Sequence, residues 1–180
     1  INDLGKWLAF ERQTPYIALA TAASMNGYTS ANTAPTVNGV KTLFWTAPPR
    51  AVLADPALLA EAPYKLTTAG LGDILAKSVS SVDWRLNHLL FGDDYSQPSV
   101  DLIADIEPLY LDHPDAILDL QPDAMTALFH ALLLTGAAMT LAGTSAPASG
   151  AEHLISHTLD LLVSIDGVPH DLHKIGRAHV

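Results

Sequence analysis

From residue 3 onwards apolar side chains return at helical spacing. Leu4, Trp7 and Leu8, with Glu11 beyond them, lie on neighbouring turns and predict a helix over 3–12, with Asp3 as its N-cap. The period then changes. "PYIALAT" is a short apolar run rich in β-forming residues and predicts a buried strand. "TAASMNGYTS" follows as a loop of small and hydroxyl residues, and "APTVNGVKTLFW" sets Asn-Gly between two alternating runs, the pattern of a tight hairpin. "RAVLAD" predicts a second strand, and "DPALLAEAP" a helix capped by Asp55 with Pro56 at its first position. Beyond Pro63 nearly every segment reads as helix: 64–91, 99–111, 114–120, 122–143 and 150–165, separated by "FGDDYSQP", "LDHPD", "LQPD" and "GTSAPASG". No internal repeat is visible. The expected fold is therefore an α/β remnant over 1–62 followed by an all-α domain over 63–174, with the boundary near Ala62 to Tyr64.

Composition narrows the classes. The 180 residues are 49% hydrophobic and 16% charged, enough apolar material for a packed core. A formal charge of -10 argues against a nucleic-acid binder, because phosphates would be repelled. Without cysteine there is no disulfide, thiolate metal site or cysteine nucleophile, which is compatible with a cytoplasmic location. The longest apolar stretch, "MTALFHALLLTGAAMTLAG", contains His130 and Gly136 and reads as a buried core helix in preference to a membrane span. No start methionine, basic n-region or cleavage signal is read in the chain's opening residues. It begins "INDLGKW", as though cut from something longer.

The candidate chemistry centres on "GAEHLISHTLDLL". His153 and His157 are four residues apart, so both imidazoles share one face of a helix that also carries Leu154, Ile155, Leu161 and Leu162 as apolar residues to bury. Two histidines at this spacing can reach one ion or one substrate. Glu152 precedes the first histidine, so the stretch is not the zinc-protease pattern, which needs the glutamate after it. Asp73 lies among Leu71, Ile74 and Leu75, with Lys77 at i+4 offering a simple helix ion pair. His170 and His173 follow in the loop "GVPHDLH", where a third ligand could come from. His88, His113 and His130 have no such company and read as structural. The loop "TAASMNG" follows a strand, the place where α/β domains bind ligands.

Taken together, "INDLGKWLAFERQTPYIALATAASMNGYTS", "PPRAVLADPALLAEAP", "AGLGDILAKSVSSVDWRL" and "GAEHLISHTLDL" resemble the sn-glycerol-1-phosphate dehydrogenase family of the iron-containing alcohol dehydrogenase and dehydroquinate synthase-like superfamily. The resemblance is colinear and covers nearly the whole chain. It implies a dinucleotide-binding α/β domain, a helical domain and a metal in the cleft between them. It also implies reduction of dihydroxyacetone phosphate to sn-glycerol 1-phosphate, a polar-lipid precursor, by NADH or NADPH. By this resemblance Asp3, Thr21, Ala22, Ala23, Ser24 and Ser30 are cofactor-binding positions, and Asp73, His153 and His173 are ligands of one divalent metal, zinc or nickel ahead of iron. Asp73 and His157 match catalytic, substrate-facing residues. Asn26 matches a substrate-contacting position that is usually aspartate, so a charge is lost there. The implied partner is a small phosphorylated triose or polyol, with neither nucleic acid nor membrane insertion. Homodimer or larger homo-oligomer is not legible, and neither is the choice of NADH or NADPH. Glycerol dehydrogenase, acting on unphosphorylated glycerol, is the alternative enzyme; a silent fragment lacking the cofactor loop is the non-enzymatic one. After His173 the family pattern is lost. "IGRAHV", residues 175–180, is what a sequencing adapter encodes in one frame, and is expected to be a non-native tail on a reading frame broken at both ends.

Overall fold

The structure, a computed structural model, describes residues 1–38, 40–112 and 114–166. Helix α1 (Asn2–Glu11) leads to strand β1 (Ile17–Ala20), which pairs in parallel with β6 (Ala51–Ala54) in the register Ile17↔Ala51 to Ala20↔Ala54. Between them lies the expected hairpin. Strands β3 (Thr36–Val37) and β4 (Val40–Lys41) are antiparallel, with Val37 opposite Val40 and Asn38 at φ +52°, a conformation asparagine tolerates in hairpin turns. The flanking pair β2 (Asn32–Thr33) and β5 (Phe44–Trp45) continues the same antiparallel course. Helix α2 (Pro56–Ala60) starts as its sequence predicts: the Asp55 carboxylate accepts the Ala57 N–H at 2.9 Å, and Pro56 stands where no N–H is needed.

The helical part follows as α3 (Tyr64–Leu75), α4 (Lys77–Phe91), α5 (Gln97–Ala104), α6 (Pro108–Leu111), α7 (Pro114–Leu118), α8 (Pro122–Ala142), a short 3-10 turn (Ala146–Ala148) and α9 (Ala151–Asp166). Helix α8 is its axis and packs against α2, α3, α5, α6 and α7. It has the length and hydropathy of a membrane span, but 56% of its apolar window is buried inside the protein, as in a helix covered from several sides. Met125, Leu128, Ala131, Leu132 and Ala138 are fully buried along it. Tyr28, Leu59, Ile74, Ile106, Tyr110 and Ile117 complete one core that joins the α/β part to the helices.

Several expectations are corrected. Helix α1 begins at Asn2, so Asp3 is a first-turn residue and not the N-cap; its carboxylate accepts the Ala34 N–H at 3.4 Å instead. The inward face of α1 carries Lys6, while Leu4 and Leu8 are exposed. Strand β1 is buried on one face only: Ala18 and Ala20 point inward, Ile17 and Leu19 outward, because helices cover a single side of the two-stranded sheet. The segment 64–91 is two helices, parted at Ala76, and 99–111 is parted before Pro108, which cannot donate the next helical hydrogen bond. Helix α9 packs on α4, and its Leu154, Ile155, Leu161 and Leu162 are exposed.

Two glycines set how closely the loop after β1 can approach the helices. A Cβ on Gly70 of α3 would stand 2.0 Å from the Ala23 carbonyl oxygen, and one on Gly136 of α8 would stand 2.3 Å from that of Asn26. Both obstacles are backbone, which cannot rotate away. Gly70→Ala and Gly136→Ala should each cost at least about 1–3 kcal/mol of stability, read from urea denaturation. Gly5→Ala on α1, where nothing lies within 4 Å, should gain up to about 1 kcal/mol. Equal behaviour of the three variants would contradict the packing.

Candidate metal and substrate site

The loop 21–31 leaves the carboxyl end of β1 and is held by three helices and by its own side chains. Lys6 is fully buried, and its ammonium donates to the carbonyls of Gly27 (2.6 Å), Ser30 (2.7 Å) and Asn32 (3.0 Å) and to the Ser30 hydroxyl (3.1 Å). Burial lowers its pKa to about 8, against Asp3, which raises it. From α8, the Thr29 hydroxyl donates to the Leu133 carbonyl (2.5 Å) and the Thr140 hydroxyl to that of Thr29 (3.0 Å). Within the loop the Tyr28 hydroxyl donates to the Ala22 carbonyl (3.0 Å); burial raises its pKa, and a bond with Ser24 tempers the rise. From α3, Asp73 accepts the Asn26 main-chain N–H on Oδ2 at 2.8 Å.

Asp73 is fully buried, and its second oxygen faces two nitrogens. Oδ1 stands 3.5 Å from Lys77 Nζ and 3.9 Å from His153 Nε2. The i,i+4 ion pair read from the sequence is thus present, but at 1% and 0% exposure it is an interior pair, outside the range of surface helix pairs. Lys77 also donates to the Ala148 carbonyl (2.8 Å), and Ser80 of α4 to that of Pro147 (2.9 Å). Asp83, a turn further along α4, accepts the first N–H of α9 at Ala151 (2.8 Å). Helix α4 therefore fixes the start of α9 and delivers His153 to Asp73.

The two rings at the opening of α9 sit side by side as their spacing predicts, centroids 6.0 Å apart. His153 is buried, and its Nδ1 meets Glu152 Oε1 at 2.5 Å. Burial pushes the Glu152 carboxyl up, but the hydrogen bond and charge of His153, with Lys77 further off, outweigh it and hold the carboxyl below its usual range. His157 is half-buried and lines a cleft of about 940 Å³ together with Ser24, Asn26, Lys41, Ser149 and His153.

The six expected cofactor positions divide. Asp3, Ser24 and Ser30 line the cleft. Thr21 is exposed, Ala22 and Ala23 are buried, and none of these three belongs to the lining. The Ser30 hydroxyl is engaged with Gly27, Asn32 and Lys6, so it serves the loop's own shape. Asn26 lines the cleft but meets Asp73 through its main chain, a contact any non-proline residue could make. His88 is exposed, with its Nδ1 against the Asp93 carbonyl (2.7 Å) and its ring stacked on Tyr95; His130 is exposed on α8. His113, His170, His173 and the tail 175–180 lie outside the described residues. Sequence reasoning missed Lys6 and the contact of Glu152 with His153. Lys6 gave no signal, since its partners are more than twenty positions away; the direct adjacency of Glu152 to His153 was one.

The donors suit a divalent cation. A carboxylate oxygen and an imidazole Nε2 at 3.9 Å are closer than the sum of the two bonds to zinc, about 4.0–4.3 Å, so both can reach one ion after a small approach. Among the described residues no third His, Cys, Asp or Glu joins them.

Comparison with known proteins gives a consistent answer. Residues 1–63 match the family described as iron-containing alcohol dehydrogenase. The whole chain is similar to curated proteins named glycerol-1-phosphate dehydrogenase (NAD(P)+): 37% identity to that of Bacillus velezensis over 99% of this chain and 46% of the relative, and 37% to that of Thermococcus kodakarensis over 91% and 46%. The chain thus spans about half the length of the curated relatives it matches. Among solved structures it resembles a probable glycerol dehydrogenase of Sinorhizobium meliloti (TM-score 0.75, 21% identity, 98% of this chain, 50% of that one) and a glycerol dehydrogenase of Schizosaccharomyces pombe (TM-score 0.72, 16% identity, 98% and 53%). At these identities the structural likeness concerns the fold.

Lys77→Met should leave Asp73 without its buried countercharge and cost about 3–5 kcal/mol, measured by chemical denaturation. A loss under about 1 kcal/mol, the level of a surface pair, would contradict the interior pair.

Proposed function

We propose, from its similarity to the glycerol-1-phosphate dehydrogenases and the match of residues 1–63 to the iron-containing alcohol dehydrogenase family, that the protein this chain represents reduces dihydroxyacetone phosphate to sn-glycerol 1-phosphate with NADH or NADPH. The observation that carries this reading is the approach of His153 to the buried Asp73 at the edge of a cleft walled by the β1 loop and by α9. In this reading residues 1–62 are the carboxyl-terminal part of the dinucleotide-binding domain, and 63–174 belong to the helical metal-binding domain.

Asp73, His153 and, by family likeness, His173 would hold one zinc or nickel ion. When bound, the ion supplies electrophilic pull on the ketone oxygen, and the nicotinamide supplies the hydride. The chain's own residues do the rest. Asp73 is held by the Asn26 N–H, so one carboxylate oxygen is committed to the loop while the other faces Lys77 and His153. His157, one turn along α9, faces the substrate oxygens and holds the proton that the new hydroxyl takes up. The Asn26 side chain offers a neutral hydrogen bond to a substrate hydroxyl in place of the family's charge. Ser24 and Asp3 lie on the cleft wall, where they would contact a bound cofactor. Helix α8 is a core helix in this reading, and the enzyme is cytoplasmic.

The test is made in a full-length protein carrying these residues. Zinc or nickel should bind at about one ion per chain and dihydroxyacetone phosphate should be reduced in preference to glycerol oxidation. His153→Ala should abolish both, by more than the roughly 10–100-fold that removing a supporting residue costs. Metal and turnover retained by His153→Ala would remove His153 from the ligand set, and preference for glycerol would move the enzyme to the polyol oxidoreductases.

A further inference from the structure

We propose that Glu152 is a positioning residue that fixes the tautomer and orientation of His153, so that the lone pair of Nε2 is presented to the cation shared with Asp73. The inference rests on the metal-site reading above and deepens it. The contact is direct: Glu152 Oε1 lies 2.5 Å from His153 Nδ1, while Nε2 on the other side of the ring points to Asp73 Oδ1 at 3.9 Å. A carboxylate can only accept, so Nδ1 carries the proton and Nε2 of the neutral ring is left as a donor of electrons. An imidazole that gives its second N–H to a carboxylate is both better aimed and more basic toward a metal.

The surroundings are shaped for this carboxylate. A Cβ on Gly150 would stand 2.9 Å from Glu152 Oε2 and 2.5 Å from Asp83 Oδ2, so the bare Cα of Gly150 makes room for both acidic side chains at the start of α9. Asp83 holds the helix end through the Ala151 N–H, and Glu152 holds the ring. Each carboxylate therefore has a separate task. The Glu152 side chain is 21% exposed, so its contact with His153 is partly shielded from water.

The experiment uses the 180-residue chain and Zn²⁺, with affinity measured by competition against a chelating dye and the His153 ring protons observed by ¹⁵N–¹H NMR in the metal-free chain at a pH where the ring is neutral. Glu152→Ala should weaken Zn²⁺ binding about 10–100-fold and shift His153 from the Nδ1–H toward the Nε2–H tautomer. Glu152→Gln keeps an acceptor oxygen without the charge and should fall between Glu152→Ala and wild type in both readouts; it carries the test if Glu152→Ala does not fold. Unchanged Zn²⁺ affinity in both variants, with the wild type binding Zn²⁺, overturns the inference. Failure of the wild type to bind Zn²⁺ overturns the metal-site reading instead, and an Nδ1–H signal unaltered in both variants overturns the role of Glu152 independently of any metal.

Discussion

A single buried carboxylate joins the two parts of this molecule. Asp73 has no exposed surface, and an ionised group in that position costs several kcal/mol unless its oxygens are engaged. One oxygen is engaged by the main chain of the β1 loop at Asn26, the other by Lys77 and by the approach of His153. The charge that makes Asp73 expensive to bury is the reason the loop, α3, α4 and α9 have to meet at one point. The loop's other tethers, Lys6 from α1 and Thr140 from α8, serve the same meeting by keeping the loop close enough for the Asn26 N–H to reach. The bare Cα positions Gly70 and Gly136 allow that closeness, since the loop's carbonyls rest where side chains would otherwise be.

The second consequence is directional. Because α4 binds the residues before α9 through Lys77 and Ser80, and its first N–H through Asp83, the first turn of α9 has little freedom to rotate. His153 is then aimed at Asp73 while His157, one turn later, opens onto the cleft. Two identical side chains four residues apart thereby acquire different surroundings: one buried between two carboxylates, one half-exposed beside the cleft. Under the proposed function, that difference in burial separates a ring for a cation from a ring for a substrate.

Much of this was legible in the sequence. The hairpin turn at Asn38, the Asp55–Pro56 helix start, the two short strands and the long apolar helix α8 are all local signals, and each appears where its residues predict. The shared face of His153 and His157 follows from helical period alone. What was not legible depends on partners distant in sequence. Helix α3 ends at Leu75 without glycine or proline, in a stretch where Lys77 turns inward to the Ala148 carbonyl seventy-one positions away. Lys6 carries no local signal of burial, and only the folded loop supplies its three carbonyls. The exposed Ile17 and Leu19 were expected to be buried because composition reports how apolar a strand is and not how many of its faces are covered.

The central claim is that Asp73 and His153 share one cation. Anomalous diffraction from crystals of the zinc-loaded protein tests it most directly. The account predicts a single strong peak about 2.0–2.2 Å from an Asp73 carboxylate oxygen and from His153 Nε2, with the Asn26 N–H still on the other oxygen of Asp73. A zinc peak elsewhere, or one bound with His153 turned away and Lys77 retained against Asp73, would contradict it.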